Sequence, residues 1–175
     1  MKSLKRTPQA AAATDLIFEI FRAHGALVAL GDRMVAGLGL STARWQVLGS
    51  IGEKARDLSV AMIARNLGLS RQAVQRVVNE LVRDGLAAYA PNPHHKRAKL
   101  VRMTEKGLAA YLAADRGFFA WANTALAELD VARIAAAWEV TKTLRQLCEG
   151  YVAAPLTDSS PADSPSAHPP TKEGA

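Results

Sequence analysis

Residues 59–83 read SVAMIARNLGLSRQAVQRVVNELVR, and this stretch decides the fold. Apolar side chains recur at helical spacing before Gly68 and again after Ser70, so the stretch predicts two helices. Gly68 is suited to ending the first helix, and Ser70 is suited to capping the second. Two short helices joined by a turn of three or four residues that contains glycine predict a helix-turn-helix.

The second of these helices has two different faces. Its valines and leucines follow the spacing of a helix that buries one side. The other side carries cationic and amide side chains, which reach phosphates and base edges. Because its first two turns contain no acidic residue, we expect this helix to enter the major groove of DNA. The residues of this element that we expect to contact DNA are Ser70, Arg71, Gln72, Gln75, Arg76 and Asn79.

The spacing of the apolar residues changes after residue 85, where short apolar segments replace the helical pattern. Residues 86–89 and 98–103 predict two strands. Residues 91–97 predict the turn between them, because their two prolines remove hydrogen-bond donors from a strand ladder. A helix-turn-helix followed by a hairpin with a basic tip is a winged helix. The wing residues that we expect to contact DNA are Lys96, Arg97 and Lys99.

The positive charge of the chain is concentrated in one segment. The 175 residues include 22 Lys and Arg against 16 Asp and Glu, and residues 54–106 alone hold eleven basic residues against four acidic ones. Such a concentration is expected of a surface that meets polyphosphate. A well-solvated basic face is the alternative, since basic surfaces without a nucleic-acid partner are common.

Length and composition restrict the class of protein. With 49% hydrophobic and 22% charged residues, the chain has the balance of a globular protein with one core. The sequence contains no glycine-rich phosphate loop, no nucleophile with a plausible histidine and acid, and no paired carboxylates, so we expect neither an enzyme nor a cofactor. No apolar run approaches the roughly 20 residues of a membrane-spanning helix, and we expect a cytoplasmic protein without a membrane partner.

Cysteine and histidine are too few and too scattered for a metal site. Cys148 is the single cysteine, which excludes an internal disulfide and a cysteine-type zinc site. Its apolar neighbours predict a buried, inert thiol rather than a redox sensor. His94 and His95 are adjacent, so their side chains point apart, and we expect no bound metal.

Both ends of the sequence are expected to lie outside the core. Residues 1–10 predict a flexible tail, and residues 155–175, in which five prolines are interleaved with Ser, Ala, Thr and Asp, predict a disordered one. Between them, a long first helix and a last helix are predicted from their apolar spacing. The last helix would expose a large apolar face on a monomer, which favours a partner. That face is formed by Ile134, Trp138, Leu144, Leu147 and Tyr151.

Three stretches, in this order, resemble the MarR family of winged helix-turn-helix transcriptional regulators. They are residues 40–48, LSTARWQVL, residues 69–74, LSRQAV, and residues 100–107, LVRMTEKG. In that family the wing usually carries an Asp two residues before an Arg that enters the minor groove. Here Arg97 occupies the position of the Arg and His95 that of the Asp, so the side chain that would brace the Arg differs from the family pattern.

The resemblance implies a mainly α (α+β) fold in which the first and last two helices interleave with those of a second chain. Residues 11–40 and 104–154 would then form a helical dimerisation region, and residues 41–103 would form the DNA-binding lobe. Such a homodimer places two recognition helices roughly 34–36 Å apart, about one turn of DNA. The implied function is a repressor that binds a pseudo-palindromic operator.

The resemblance also implies release of DNA by a small aromatic or phenolic effector, bound between the dimer helices and the lobe. Candidate pocket residues are Phe18, His24 and Trp45, and packing in the core or at the dimer contact is the alternative for them. A winged helix that binds another protein, without operator binding, is the alternative for the whole chain, because a fold does not dictate a function. The cationic and amide-rich recognition face favours DNA.

Overall fold

The structure, a computed structural model, describes residues 6–52, 57–93 and 97–154. Contacts divide the chain into two units, Met1–Ala127 and Glu128–Ala175. The predicted tail 155–175 and the wing residues 94–96 lie outside the described residues. A flexible tail was predicted for residues 1–10, but the first helix already begins at Pro8.

The first unit contains five helices and three strands among its described residues, and the second contains one helix. A 3-10 turn, Ala36–Leu38, follows the first helix and ends at Gly39. In chain order the elements are α1 Pro8–Val35, α2 Thr42–Gly52, β1 Leu58–Ser59, α3 Val60–Leu67, α4 Arg71–Arg83, β2 Ala87–Ala90, β3 Leu100–Met103, α5 Glu105–Ala125 and α6 Val131–Ala153.

Short polar side chains begin three of the helices, and the predicted cap Ser70 is one of them. The hydroxyl groups of Ser59, Ser70 and Thr104 each accept a hydrogen bond from the backbone N–H three residues on, at 3.3, 3.1 and 3.0 Å. Each bond satisfies a donor that the first turn of a helix leaves unpaired. Gly68 ends α3 with a φ of +65°, a conformation that side chains with a Cβ rarely adopt. The predicted helix-turn-helix, α3 and α4, is confirmed.

The wing is part of a three-stranded antiparallel sheet in the order β1-β3-β2. β3 pairs with both neighbours, and Val101 lies opposite Leu58 on one side and Tyr89 on the other. The predicted hairpin is confirmed, but its strands are shifted or shorter than predicted, at Ala87–Ala90 and Leu100–Met103. β1 was not predicted, because a two-residue strand has no periodicity and forms only through its partner.

The core of the first unit fixes the orientation of α4. Val74, Val78 and Leu81 of α4 have no exposed surface, and neither have Leu48 of α2 or Val101 of β3. Burial of a side chain of this size stabilises the fold by roughly 1.5–3 kcal/mol relative to its exposure to water. Because one side of α4 is anchored in this way, its polar side must face solvent.

Thr42, at the start of α2, ties that helix to α1. Its backbone N–H donates to Asp32 Oδ1 at 2.6 Å, and its hydroxyl donates to the carbonyl oxygen of Val28 at 2.9 Å. The hydrogen bond from the Thr42 backbone lowers the pKa of Asp32 below its usual value. Gly31 makes this approach possible, since a Cβ there would lie 2.5 Å from Thr42 Oγ1.

The second unit is formed by α6, which begins at Asp130, whose Oδ1 accepts a hydrogen bond from Arg133 N–H at 2.8 Å. None of its residues is buried, and the predicted apolar face is exposed except for the half-buried Leu144. The prediction that Cys148 is buried is wrong for the single chain, because its side chain is exposed.

Within the three described ranges, no single helix has the length and apolarity to cross a membrane. In the described residues, two helical segments reach that length and apolarity only when they are taken together. They are Pro8–Leu38 and Thr42–Gly52, and they are bent by 83° at their junction.

Candidate nucleic-acid interface

The outer face of α4 and the wing border an open groove of about 1130 Å³, completed by the start of α3. Ser70 caps α4 at the edge of this face and does not line the groove, and Lys96 lies outside the described residues. The other seven residues expected to contact DNA are brought together here: Arg71, Gln72, Gln75, Arg76, Asn79, Arg97 and Lys99.

The groove is strongly cationic. Its lining includes five basic side chains and one acidic side chain, Glu80. Among the described residues, Arg71, Arg76 and Arg97 are exposed and form no hydrogen bond or ion pair within the protein. A guanidinium group presents five N–H donors in a planar fork, which suits phosphate and guanine. These three groups are therefore available to an anionic ligand.

Two of the expected DNA-contacting amides are already hydrogen-bonded within the protein. Gln75 Nε2 donates to Asn79 Oδ1 at 2.9 Å and to Tyr89 Oη at 2.6 Å. The Tyr89 hydroxyl donates to Asn79 Oδ1 at 2.7 Å, which closes a ring of three side chains. Lys99 Nζ lies 5.5 Å from the centroid of the Tyr89 ring. The sequence analysis treated Tyr89 only as a strand residue, because its pairing with α4 depends on the tertiary fold.

Asp84 joins the end of α4 to two other helices. Its carboxylate accepts from Arg83 Nε at 3.0 Å and from an Arg44 guanidinium nitrogen at 2.7 Å, and these bonds and charges lower the pKa of Asp84. Arg44, on α2, also donates to the carbonyl oxygen of Gly39 at 2.8 Å. Lys106, on α5, donates to the backbone oxygen of Asp84 at 2.9 Å. α4 is thus held at its C-terminal end.

A second cavity, of about 570 Å³, lies between α1, α2, α3 and α5. Trp45 lines it, donates from Nε1 to Asp115 Oδ1 at 2.9 Å, and meets the Phe118 ring edge-on with centroids 5.7 Å apart. Of the three candidate effector residues, the structure places only Trp45 here. Phe18 and His24 are exposed on α1 and do not line this cavity.

No group of three or more His, Cys, Asp or Glu side chains suited to holding a metal ion occurs in the part of the chain that the structure describes. His94 and His95 lie outside that part.

Comparison with known proteins finds similarity to one family of regulators. The solved structure of Sco5413, a MarR family transcriptional regulator from Streptomyces coelicolor, is similar to this chain with a TM-score of 0.66 and 28% sequence identity, covering 79% of this chain and 96% of that one. A family model described as the MarR family matches residues 38–98, which include the helix-turn-helix and β2 but end before β3. Over its helix-turn-helix the chain is therefore similar to MarR family transcriptional regulators.

Curated relatives match this chain over about half of its length. An uncharacterized protein of Mycobacterium tuberculosis is 41% identical over 92 residues, which are 53% of this chain and 63% of that protein. The transcriptional activatory protein BadR of Rhodopseudomonas palustris is 35% identical over 97 residues, which are 54% of this chain and 55% of BadR. The chain thus spans less than two thirds of the length of these relatives.

Proposed function

We propose that this chain is a regulator of the MarR type, which controls transcription by binding a specific sequence of double-stranded DNA as a homodimer. The observation that carries the proposal is the cationic groove between α4 and the wing, in which Arg71, Arg76 and Arg97 have no partner among the described residues. Duplex DNA supplies the phosphates and base edges that such side chains bind. We propose a cytoplasmic location for the protein, together with the DNA that it binds.

The exposed apolar side chains support a second copy of the chain as partner. On α1, Phe18 and Phe21 are 56% and 68% exposed, and on α6, Trp138 and Leu147 are 60% and 67% exposed. Faces of this kind usually mark an interaction surface. A homodimer contains two α4 helices, and two half-sites about one DNA turn apart, roughly 34–36 Å, form a pseudo-palindromic operator.

We propose repression as the direction of control. A dimer that covers a promoter blocks RNA polymerase by occupancy alone, without a surface for contacting polymerase. The relative BadR is named as an activator, so the direction needs its own measurement. In a reporter strain carrying the operator, deletion of the gene should raise expression, and a fall in expression would show activation.

We also propose that the cavity around Trp45 binds a small aromatic or phenolic effector, and that this binding causes the protein to release DNA. An indole ring, a phenyl ring and a carboxylate in one cavity can pack against an aromatic ring and accept a hydrogen bond from a phenol. Phenol is a suitable first probe. It should quench the fluorescence of the wild type, and a Trp45→Phe variant should lose that response whereas a Trp121→Phe variant should keep most of it.

The DNA-binding proposal is tested by fluorescence anisotropy of the full chain with a labelled duplex of random sequence over a series of salt concentrations. We expect the logarithm of affinity to fall linearly with the logarithm of salt, with a slope of about −0.9 for each phosphate contact. Sites enriched from a random duplex pool should then bind more tightly than the pool. Absence of salt-dependent binding to any duplex would contradict the proposal and would favour a winged helix that binds protein.

A further inference from the structure

The ring of Gln75, Asn79 and Tyr89 limits what the recognition helix can read. Its three hydrogen bonds use both amide hydrogens of Gln75, the hydroxyl hydrogen of Tyr89, and two hydrogen bonds onto the carbonyl oxygen of Asn79. An amide oxygen has two lone pairs and an amide nitrogen has two hydrogens. Gln75 therefore retains only an acceptor, its Oε1, and Asn79 retains only a donor, its Nδ2.

Recognition of adenine by an amide side chain requires both functions at once. The amide nitrogen donates to one atom of the adenine edge while the amide oxygen accepts from its amino group. Gln75 has no N–H left to donate, and Asn79 has no lone pair left to accept. As long as the ring is closed, neither residue can make this bidentate contact, and base reading passes to Gln72 and Arg76, which are exposed on the same helix.

The ring also connects two elements of the interface. Gln75 and Asn79 lie one turn apart on α4, whereas Tyr89 lies on β2 of the wing sheet. The cation of Lys99 faces the Tyr89 ring at 5.5 Å, so the same tyrosine also orients a wing residue that lines the groove.

Resting on the DNA-binding function proposed above, we propose that Tyr89 is a positioning residue that sets base specificity. Its hydroxyl keeps the amides of Gln75 and Asn79 away from adenine and holds the wing sheet against α4. Removal of the hydroxyl frees one N–H of Gln75 and one acceptor site on Asn79, while the hydrogen bond between the two amides remains. Each amide then has both a donor and an acceptor for adenine, which should change the preferred sequence rather than abolish binding.

Tyr89→Phe removes the hydroxyl and keeps the aromatic ring, and Tyr111→Phe, on α5 and outside the groove, is the matched control. Binding sites are enriched from a random-sequence duplex pool with the full-length wild type and each variant. We expect Tyr89→Phe to gain a preference for adenine of roughly five-fold or more at the base pairs facing positions 75 and 79. Its affinity for unselected duplex should change less than about two-fold, because the phosphate contacts remain.

Two further variants separate a positioning role from a merely structural one. In a Gln75→Ala, Asn79→Ala background no amide remains to be released, so Tyr89→Phe should add no new base preference. Loss of structure alone would lower the melting temperature and weaken binding to every duplex equally, without creating a preference. Thermal melts of each variant accompany the selections.

The proposal is overturned if Tyr89→Phe keeps the wild-type base preference. It is also overturned if Gln75→Ala, with Tyr89 intact, loses an adenine preference that the wild type has, since Gln75 would then read that base directly. Failure of the wild type to enrich any sequence is a different result, because it would overturn the DNA-binding function itself.

Discussion

Arg76 is the side chain of α4 best placed to read a base, since it is exposed in the groove and has no partner among the described residues. Arg76→Ala should weaken binding to an enriched site by about 1–3 kcal/mol, the value of a bidentate contact with guanine, and should weaken binding to random duplex much less. Anisotropy titrations on both duplexes measure the difference. Arg116→Ala, an exposed arginine of α5 outside the groove, is the control. Equal losses on both duplexes would show a phosphate contact instead.

Arg97, on the wing, should act mainly through its charge. It is exposed and lines the groove, and the structure shows no intramolecular partner for it among the described residues. Arg97→Ala should lower affinity and reduce the slope of log affinity against log salt by about one unit, as expected for one lost phosphate contact. Titrations at four or more salt concentrations give this slope. If both affinity and slope stay at their wild-type values, the wing does not touch DNA.

The hydrogen bond of Asp32 that joins α1 to α2 stabilises the fold in a pH-dependent way. Because the Thr42 backbone lowers the pKa of Asp32 below 3.8, its ionised form stabilises the folded state above that pH, and this stabilisation is lost as the pH falls through the lowered pKa. Asp32→Ala should lower the melting temperature at pH 7 by about 2–4 °C. Asp32→Asn keeps an acceptor oxygen and serves as the control. The difference in melting temperature between the wild type and Asp32→Ala should become smaller below pH 3.8. A difference that does not change with pH would contradict this account.

Helix boundaries could be predicted from the sequence because the residues that set them act locally. Ser59, Ser70 and Thr104 cap the helices that follow them, and Gly68 ends α3 in the left-handed conformation. Each of these interactions spans about three residues, so the residue type and its position are sufficient to predict it.

The features missed by the sequence analysis depend on contacts between distant residues. β1 exists because Leu58 pairs with Val101, 43 positions away in the chain. The helical face of Gln75 and Asn79 was predicted correctly, but their bonds to Tyr89 were not, because no local pattern places a strand hydroxyl against α4. The candidate residues of the groove could therefore be named from the sequence, whereas the hydrogen bonds between them can be described only from the folded structure.

The turn between α3 and α4 depends on the backbone conformation of Gly68. Gly68→Ala should destabilise the fold by about 1–2 kcal/mol, although a Cβ there meets no atom within 4 Å, because the cost comes from the positive φ. Gly37→Ala is the matched control, since that site also has free space and is not among the positive-φ glycines. Urea unfolding measures both. Equal effects of the two substitutions would contradict a conformational cause.

At the scale of the whole molecule, the exposed side chains of α6 predict that the last helix is required for the dimer. Removal of residues 131–175 should abolish the dimer, whereas removal of residues 156–175 should leave it intact. Each large apolar residue of α6 would contribute roughly 1.5–3 kcal/mol if fully buried by a partner. Trp138→Glu, which keeps the full chain, should shift the protein toward monomer with unchanged helix content. Sedimentation velocity at micromolar concentration measures all four proteins, and a monomeric wild type would contradict the paired half-site arrangement.

The two anchors of α4 have a consequence for how a signal could travel through the protein. Asp84 fastens the C-terminal end of the helix to α2 and α5, and Tyr89 fastens its middle to the wing. The helix consequently has little freedom to roll or slide within its own lobe. In the proposed dimer, we therefore expect an effector to act by moving one lobe as a rigid body against the other, which changes the distance between the two α4 helices. Binding then depends on whether this distance matches the helical repeat of DNA.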